Sequence, residues 1–354
     1  MAAESVYEKL NRIALNGHPT VASIEVTARC NARCGYCYLK DRPFKELSTG
    51  QLCAALEKFS KNGIMHLYIT GGEPFIRPDI LDILSYALEC GFFYCSIFSN
   101  GILLTEKHLD FLIRNREFFI EMQMSVFSHI PAKNDAYFGV PGAFDTIMKN
   151  ALFLKENGIK VRLAMSIFDF NIDELEATRT FFENHGLPLM HAASKIITSP
   201  GIRDHVAPST TYSFFRKYLL NLRPKELDFN KNFMKQALEP STADNSGLCF
   251  GRFDFVFMNA QGDLAQCLSF RKINLGNIFE DKSVHDILLG SPDYHAVCAC
   301  KKTDIKECRG CKFFNFCSLC LGVIHSETNS LDTINYQQCN YANALYDLIG
   351  EEHV

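Results

Sequence analysis

The chain of 354 residues has no apolar run long enough to span a bilayer. Its N-terminus, MAAESVYEKLNRIAL, reads as an amphipathic helix and lacks the apolar core of a secretory signal. Neither sign of charge dominates: 36 Lys and Arg stand against 40 Asp and Glu, a net charge of −4, and the two signs are interspersed. That excludes the basic stripe by which proteins hold nucleic acid. There is no internal repeat and no low-complexity segment, and no cysteine lies between residues 95 and 249. These absences point to a soluble, cytoplasmic globular protein. At ~100–200 residues per domain, the length fits two or three units, or one barrel with an appendage.

What is abundant is cysteine. The chain has 15, with three at 30–37 and nine between 249 and 339. Without an export signal a disulfide framework is not expected, and cysteines clustered at short spacings point to metal sites. Cys53, Cys90 and Cys95 stand apart from the clusters and read as buried thiols.

Residues 20–200 alternate strand-like and helix-like segments. Strands are expected at 21–27, 65–74, 93–101, 119–127, 160–168 and 189–197. Helices are expected at 49–63, 79–91, 105–115, 143–158 and 171–186, several of them ending in glycine. About six βα units of this kind imply parallel strands with crossover helices, closed as a barrel or open as a doubly wound sheet. In both, chemistry gathers at the C-terminal ends of the strands. Cys30–Cys37, Gly71–Pro74, Asn100 and Ser125 all fall at such ends. Residues 206–246 carry prolines and polar turns and read as a bridge. Cysteines return beyond Gly247 amid short strands and turns.

RCNARCGYCY places Cys30, Cys34 and Cys37 at CxxxCxxC spacing. Three thiolates on one loop hold three corners of a cubane cluster and leave one iron open for chemistry. A zinc knuckle is the alternative. The position after the first strand, the aromatic Tyr36 before the last cysteine, and GGEP (71–74) closing the second strand favour the cluster.

With these motifs residues 20–200 resemble the radical SAM superfamily, named for S-adenosylmethionine (SAM). The resemblance implies a partial (β/α)6 TIM-type barrel and a 4Fe–4S cluster on Cys30, Cys34 and Cys37. It implies SAM contacts at Tyr36, Gly71, Gly72, Glu73, Pro74, Asn100 and Ser125, with Glu73 accepting from the SAM ammonium and Ser125 near the ribose. Glycines suit such a place because backbone must approach closely. The implied reaction is one-electron cleavage of SAM to a 5′-deoxyadenosyl radical, which takes a hydrogen atom from substrate.

The C-terminal cysteines continue the pattern: Cys249, Cys267, then CRGCKFFNFCSLC, then Cys339. A structural zinc ribbon would account for part of the set. The full order resembles the SPASM extension of radical SAM enzymes, departing once, with two residues rather than three between Cys317 and Cys320. The resemblance implies one auxiliary cluster on Cys308, Cys311, Cys317 and Cys339. It implies a nearer one on Cys249, Cys267 and Cys320, with an open iron because no fourth cysteine lies just upstream of Cys249. Cys298 and Cys300 are weaker substitutes. Three 4Fe–4S clusters and SAM are therefore the expected cofactors.

The expected division is an N-terminal helix (1–19), the barrel (20–205), the bridge (206–246), the SPASM domain (247–345) and a tail (346–354). His191 and Lys195, on the sixth strand, are expected to face the barrel, and His191 is the one weak catalytic candidate. Arg252, Asp254 and Arg271 are candidate substrate contacts, with a solvated face the blander reading. Leu268 stands where the sulfatase-maturing branch carries Asp, which argues against that activity. The 29 residues before Cys30 are too few for the leader-binding domain of many relatives, so either a separate protein presents the peptide, or the barrel and bridge bind it, or the substrate is not a peptide. The expected partners are a peptide or protein substrate, with or without a separate leader-binding protein, and a reductant such as flavodoxin or ferredoxin. Tetrapyrrole or other small-molecule modification is the second reading, and a non-enzymatic electron carrier or zinc scaffold the third.

Overall fold

A computed structural model describes residues 18–35, 37–39, 46–193, 211–227, 254–314, 317, 320–334 and 339–350. Tyr36, Lys195, Cys249 and Arg252 lie outside the described residues. So do most of the expected N-terminal helix and much of the bridge.

Six parallel strands form the first part: β1 (Val21–Thr27), β2 (His66–Gly71), β3 (Tyr94–Ser99), β4 (Phe119–Ser125), β5 (Lys160–Ile167) and β6 (Leu189–Ala193). They pair in sequence order, each strand beside the next, as consecutive βα units commonly do. Crossover helices are α1 (Thr49–Lys61), α2 (Ile80–Glu89), α3 (Glu106–Arg114), α4 (Pro131–Phe138), α5 (Ala143–Glu156) and α6 (Leu175–Asn184). Ser48 caps α1, and Gln51 returns the bond in a capping box. This is the partial (β/α)6 barrel.

The sheet has two unlike faces. Leu67, Ile69, Ile97, Met122, Met124, Leu163 and Met165 point to the helices and are buried to within 2%. The intervening residues Tyr68, Phe98, Gln123, Ser125 and Arg162 stay half-buried on the opposite face. Period-two alternation thus gives a core on one side and an accessible surface on the other.

The sheet does not end at β1. Strand β7 (Phe255–Met258) pairs parallel with it, Val21 opposite Phe255 through Ile24 opposite Met258. Then β8 (Asp263–Ala265) and β9 (Gly276–Asn277) add antiparallel, giving nine strands among the described residues. The bridge contributes α7 (Tyr212–Leu220), which packs on the last helix, α11 (Cys339–Gly350). Between them in sequence run α8 (Val284–Leu289), α9 (Pro292–Ala299) and α10 (Leu321–Thr328). Helix α11 runs through residue 345, where the sequence division ends a domain. No helix among the described residues is long and apolar enough to cross a membrane.

Candidate active site

The cysteine loop leaves β1 at its C-terminal end and is gripped by three neighbouring βα units. From the end of β2, Gly72 N donates to Thr27 O (2.8 Å) and Glu73 N to Arg29 O (2.8 Å). From the end of β3, Asn100 Nδ2 donates to Asn31 Oδ1 at 2.8 Å. From the end of α4, Phe138 O accepts from Arg33 N at 2.8 Å. Within the loop Cys37 N donates to Cys34 O at 3.1 Å.

This grip explains the glycine pair. A Cβ on Gly71 would lie 2.2 Å from Thr27 O, and one on Gly72 would lie 2.1 Å from Arg29 O. Gly71 also sits at φ +146°. The chain's own backbone already requires glycine at both positions, before any ligand approaches.

The loop brings Cys30, Cys34 and Cys37 together. Burial raises the Cys30 thiol to about 11, and the nearby Glu73 and Cys37 charges add to this. Contacts to its sulfur from Ala32 N (3.4 Å) and Asn100 Nδ2 (3.7 Å) oppose the rise. Burial raises Cys34 to about 12, with Cys37 and Cys30 adding to it. Cys30 and Cys34 resist ionisation partly because neighbouring thiols would ionise beside them, so a bound metal centre must displace their protons. Among the described residues, no three His, Cys, Asp or Glu side chains close on one point as a single ion requires. Three thiols on one loop, near enough for their charges to interact, suit a metal centre bound through thiolates.

Glu73 is fully buried beside them. Its Oε1 accepts from Phe75 N (3.1 Å) and Ser99 Oγ (2.8 Å), and its Oε2 from Asn100 N (2.6 Å). Burial lifts its pKa to about 7 against those three bonds. Pro74 opens the 3₁₀ turn that follows. Asn100 is spent on the loop: its Oδ1 accepts from Ile102 N (2.9 Å) while its Nδ2 faces Asn31 and Cys30. Ser125 ends β4 on the accessible face, opposite Ala164.

Tyr38, Glu25 and Arg271 form a group that composition and motif did not reveal. Tyr38 Oη donates to Glu25 Oε1 at 2.6 Å, and the Arg271 guanidinium lies 4.6 Å from the Tyr38 ring centroid. Only Arg271 was singled out in the sequence. The structure places it against the cysteine loop rather than on a solvated face.

The later cysteines separate into two sets. Cys308, Cys311, Cys317 and Cys339 line one cavity of about 210 Å³ with Lys302, Phe313 and Phe314. Burial raises Cys308 and Cys339 to about 11 each, and the neighbouring thiols add to both. Cys267 and Cys320 form the second set; burial raises Cys267, and Cys320 adds to the rise. Ser326 Oγ, on the helix Cys320 leads into, donates to Ser269 O at 2.8 Å. Cys300 Sγ instead faces Leu331 O at 3.6 Å, and Cys298 lies beside Tyr294.

His191 does not face the accessible side. It pairs laterally with Met165 and so shares the helix-facing surface. Its Nε2 is 3.1 Å from both Arg179 Nη2 and Glu226 Oε1, and its Nδ1 is 3.3 Å from Tyr218 Oη. Burial, then the Arg179 cation, lowers its pKa. The structure therefore keeps this histidine apart from the thiol loop.

Comparison with known proteins follows this geometry. The radical SAM superfamily model matches residues 24–182, and the SPASM model, an iron–sulfur cluster-binding domain, matches 249–312. The antilisterial bacteriocin subtilosin biosynthesis protein AlbA of Bacillus subtilis is 27% identical over 85% of this chain and 67% of its own. An AdoMet-dependent heme synthase of Oleidesulfovibrio alaskensis is 25% identical over 90% of this chain and 87% of its own. Among solved structures, Streptococcus suis SuiB bound to S-adenosylmethionine superposes with a TM-score of 0.69 at 17% identity, covering 94% of this chain and 79% of SuiB.

The chain is an enzyme with a radical SAM domain at residues 24–182, a domain that works with SAM and iron–sulfur chemistry. A SPASM domain follows it toward the C-terminus, at residues 249–312.

Proposed function

We propose that the chain modifies a peptide or protein substrate by hydrogen-atom abstraction, forming a crosslink or thioether or carrying out an oxidation or epimerisation. The carrying observation is that the three thiols and Glu73 meet at the strand ends, above a sheet face left half-exposed by Tyr68, Phe98, Gln123, Ser125 and Arg162. That face offers a long substrate an open side. Similarity to AlbA over most of the chain supports a peptide substrate.

In this reading Cys30, Cys34 and Cys37 hold the radical-generating cluster, and Glu73 accepts from the SAM ammonium. Tyr36, Gly71, Gly72, Pro74, Asn100 and Ser125 complete the SAM site. Cys308, Cys311, Cys317 and Cys339 hold one auxiliary cluster, and Cys249, Cys267 and Cys320 another with an open iron. When bound, the cluster and SAM supply the electron and the 5′-deoxyadenosyl radical. A flavodoxin- or ferredoxin-type reductant completes the system.

The chain's own residues prepare the site. Glu73 is oriented by three donors before SAM arrives, so its acceptor oxygens need no reorganisation. Its raised pKa leaves it partly protonated near neutrality, and a bound ammonium favours the carboxylate. The Gly72 and Asn100 contacts fix the loop that carries the thiols.

The test is anaerobic incubation with SAM, dithionite and peptides encoded beside the gene, read by mass spectrometry. A peptide losing hydrogen in step with 5′-deoxyadenosine formation is expected. Tetrapyrrole modification is the second reading, because the heme synthase matches over 87% of its length. Turnover of a porphyrin, with every neighbouring peptide unchanged, would establish that reading and overturn the first.

A further inference from the structure

We propose that Lys302 sets the reduction potential of the outer auxiliary cluster. This rests on the reading that Cys308, Cys311, Cys317 and Cys339 hold that cluster.

Lys302 is not an ordinary surface lysine. Its side chain enters the cavity that the four thiols line. Its Nζ donates to Phe314 O at 2.6 Å and to Cys317 O at 2.7 Å, and it lies 5.0 Å from the Phe314 ring centroid. Two short bonds and a ring face therefore fix the ammonium. The thiolates that its charge meets are those of Cys317, Cys308 and Cys311, three of the four ligands. Among the described residues, the other charged one lining the cavity is Glu307. Lys301, next to Lys302 in the chain, is exposed. Lys312 lies over the Phe313 and Tyr346 rings, at 4.7 and 5.1 Å.

A cubane with four thiolate ligands is anionic, and it carries one more negative charge when reduced. A fixed cation stabilises the reduced state more than the oxidised one, which raises the potential. The apolar walls, Phe313, Phe314 and Ile334, keep the local dielectric constant low and strengthen the effect. Lys302 also ties together the carbonyls of the segment that carries Cys317. A purely structural role must therefore be separated from an electrostatic one.

Two substitutions separate them. Lys302→Gln keeps an N–H donor for the carbonyls and removes the charge, while Lys302→Arg keeps the charge. Each is made in a chain with Cys30, Cys34 and Cys37 changed to Ala, so that only auxiliary clusters contribute. After anaerobic reconstitution, iron content and EPR-monitored redox titration are measured. K302Q is expected to retain its iron and to show one auxiliary midpoint moved negative by a tenfold change in the reduction equilibrium, about 59 mV for one electron. K302R is expected to stay close to the parent.

Unchanged midpoints in K302Q would overturn the proposal, because the charge would then be irrelevant. Loss of the outer cluster in both variants would overturn it too, by making Lys302 a scaffold residue. Failure of the underlying reading looks different. Cys308→Ala with Cys311→Ala would then leave every reducible signal of the parent in place.

Discussion

Gly72 offers the sharpest test of how the loop is held. In Gly72→Ala the new Cβ would lie 2.1 Å from Arg29 O, 2.6 Å from Arg29 C and 2.9 Å from Ala28 O. All three are backbone atoms, so no side chain can rotate away. Ordinary carbon contacts start near ~3.5 Å, so the two segments must part by about 1 Å. That breaks the bonds from Gly72 N to Thr27 O and from Glu73 N to Arg29 O. Overpacking costs ~1–3 kcal/mol, and two lost buried bonds add about 1 kcal/mol each. A displacement of ~1 Å at a reacting site costs on the order of 100-fold in rate. G72A should therefore lose about 3 kcal/mol or more in urea denaturation and form 5′-deoxyadenosine ~100-fold more slowly. Gly50, in the first turn of α1, is the control, because a Cβ there meets nothing within 4 Å. G50A should be neutral or stabilising by ~0.5–1 kcal/mol. Wild-type stability and SAM cleavage in G72A would refute the grip.

Replacing Cys30, Cys34 and Cys37 with Ala should abolish 5′-deoxyadenosine formation, measured by chromatography after anaerobic reconstitution; residual formation would place the radical cluster elsewhere. Glu73 makes stability depend on pH in the metal-free protein. Its folded pKa, about 7, lies above the ordinary 4.5, so the stability it contributes is full below 4.5 and lost as pH rises through 7. Against Glu73→Gln, the wild type should weaken by ~3 kcal/mol between pH 4.5 and 8, and a flat difference in parallel urea titrations would contradict this. Arg77, 5% exposed, donates from Nη1 to Val26 O and Leu47 O at 3.1 Å each and pairs with Asp79. Arg77→Met should cost ~3–5 kcal/mol, read by thermal or urea unfolding.

The alternation of βα units was legible because each segment carries its own period and its own stop. Ser48 and Gln51 mark the start of α1, and strands at 21–27 and 160–168 stand in the structure nearly where the pattern puts them. Helix α4 (Pro131–Phe138) escaped, being short and only weakly amphipathic. Its signals were Pro131 in the first turn and Gly139, left-handed at φ 66°, just after it. The omission matters, because the last carbonyl of that helix holds Arg33 in the cysteine loop. His191 was misjudged on orientation. A strand's alternation shows two faces but not which one meets the helices, and only the partner Met165 and the Arg179 and Glu226 contacts decide it. Tyr38 and Glu25 carry no motif, and their pairing comes from the fold alone.

The pairing of β7 with β1 was the least visible feature and has the widest consequence. Nothing in FVFM (255–258) says which sheet edge it joins, because parallel pairing leaves no local turn to read. Once joined, the later cysteines are tied to the strand that feeds the first cysteine loop. The chain runs from β7 through β8 to Cys267, then to Arg271, whose guanidinium lies over Tyr38 in the residue after Cys37. Tyr38 in turn is fixed to Glu25 on β1. A backbone ladder, a cation–π contact and a short hydrogen bond thus close a ring from β1 through the second domain and back. A hinge at this junction would have to break the ladder between β1 and β7 and lift Arg271 from the Tyr38 ring. Cys267 is therefore joined to the first cysteine loop through paired strands and packed side chains as well as through the chain between them.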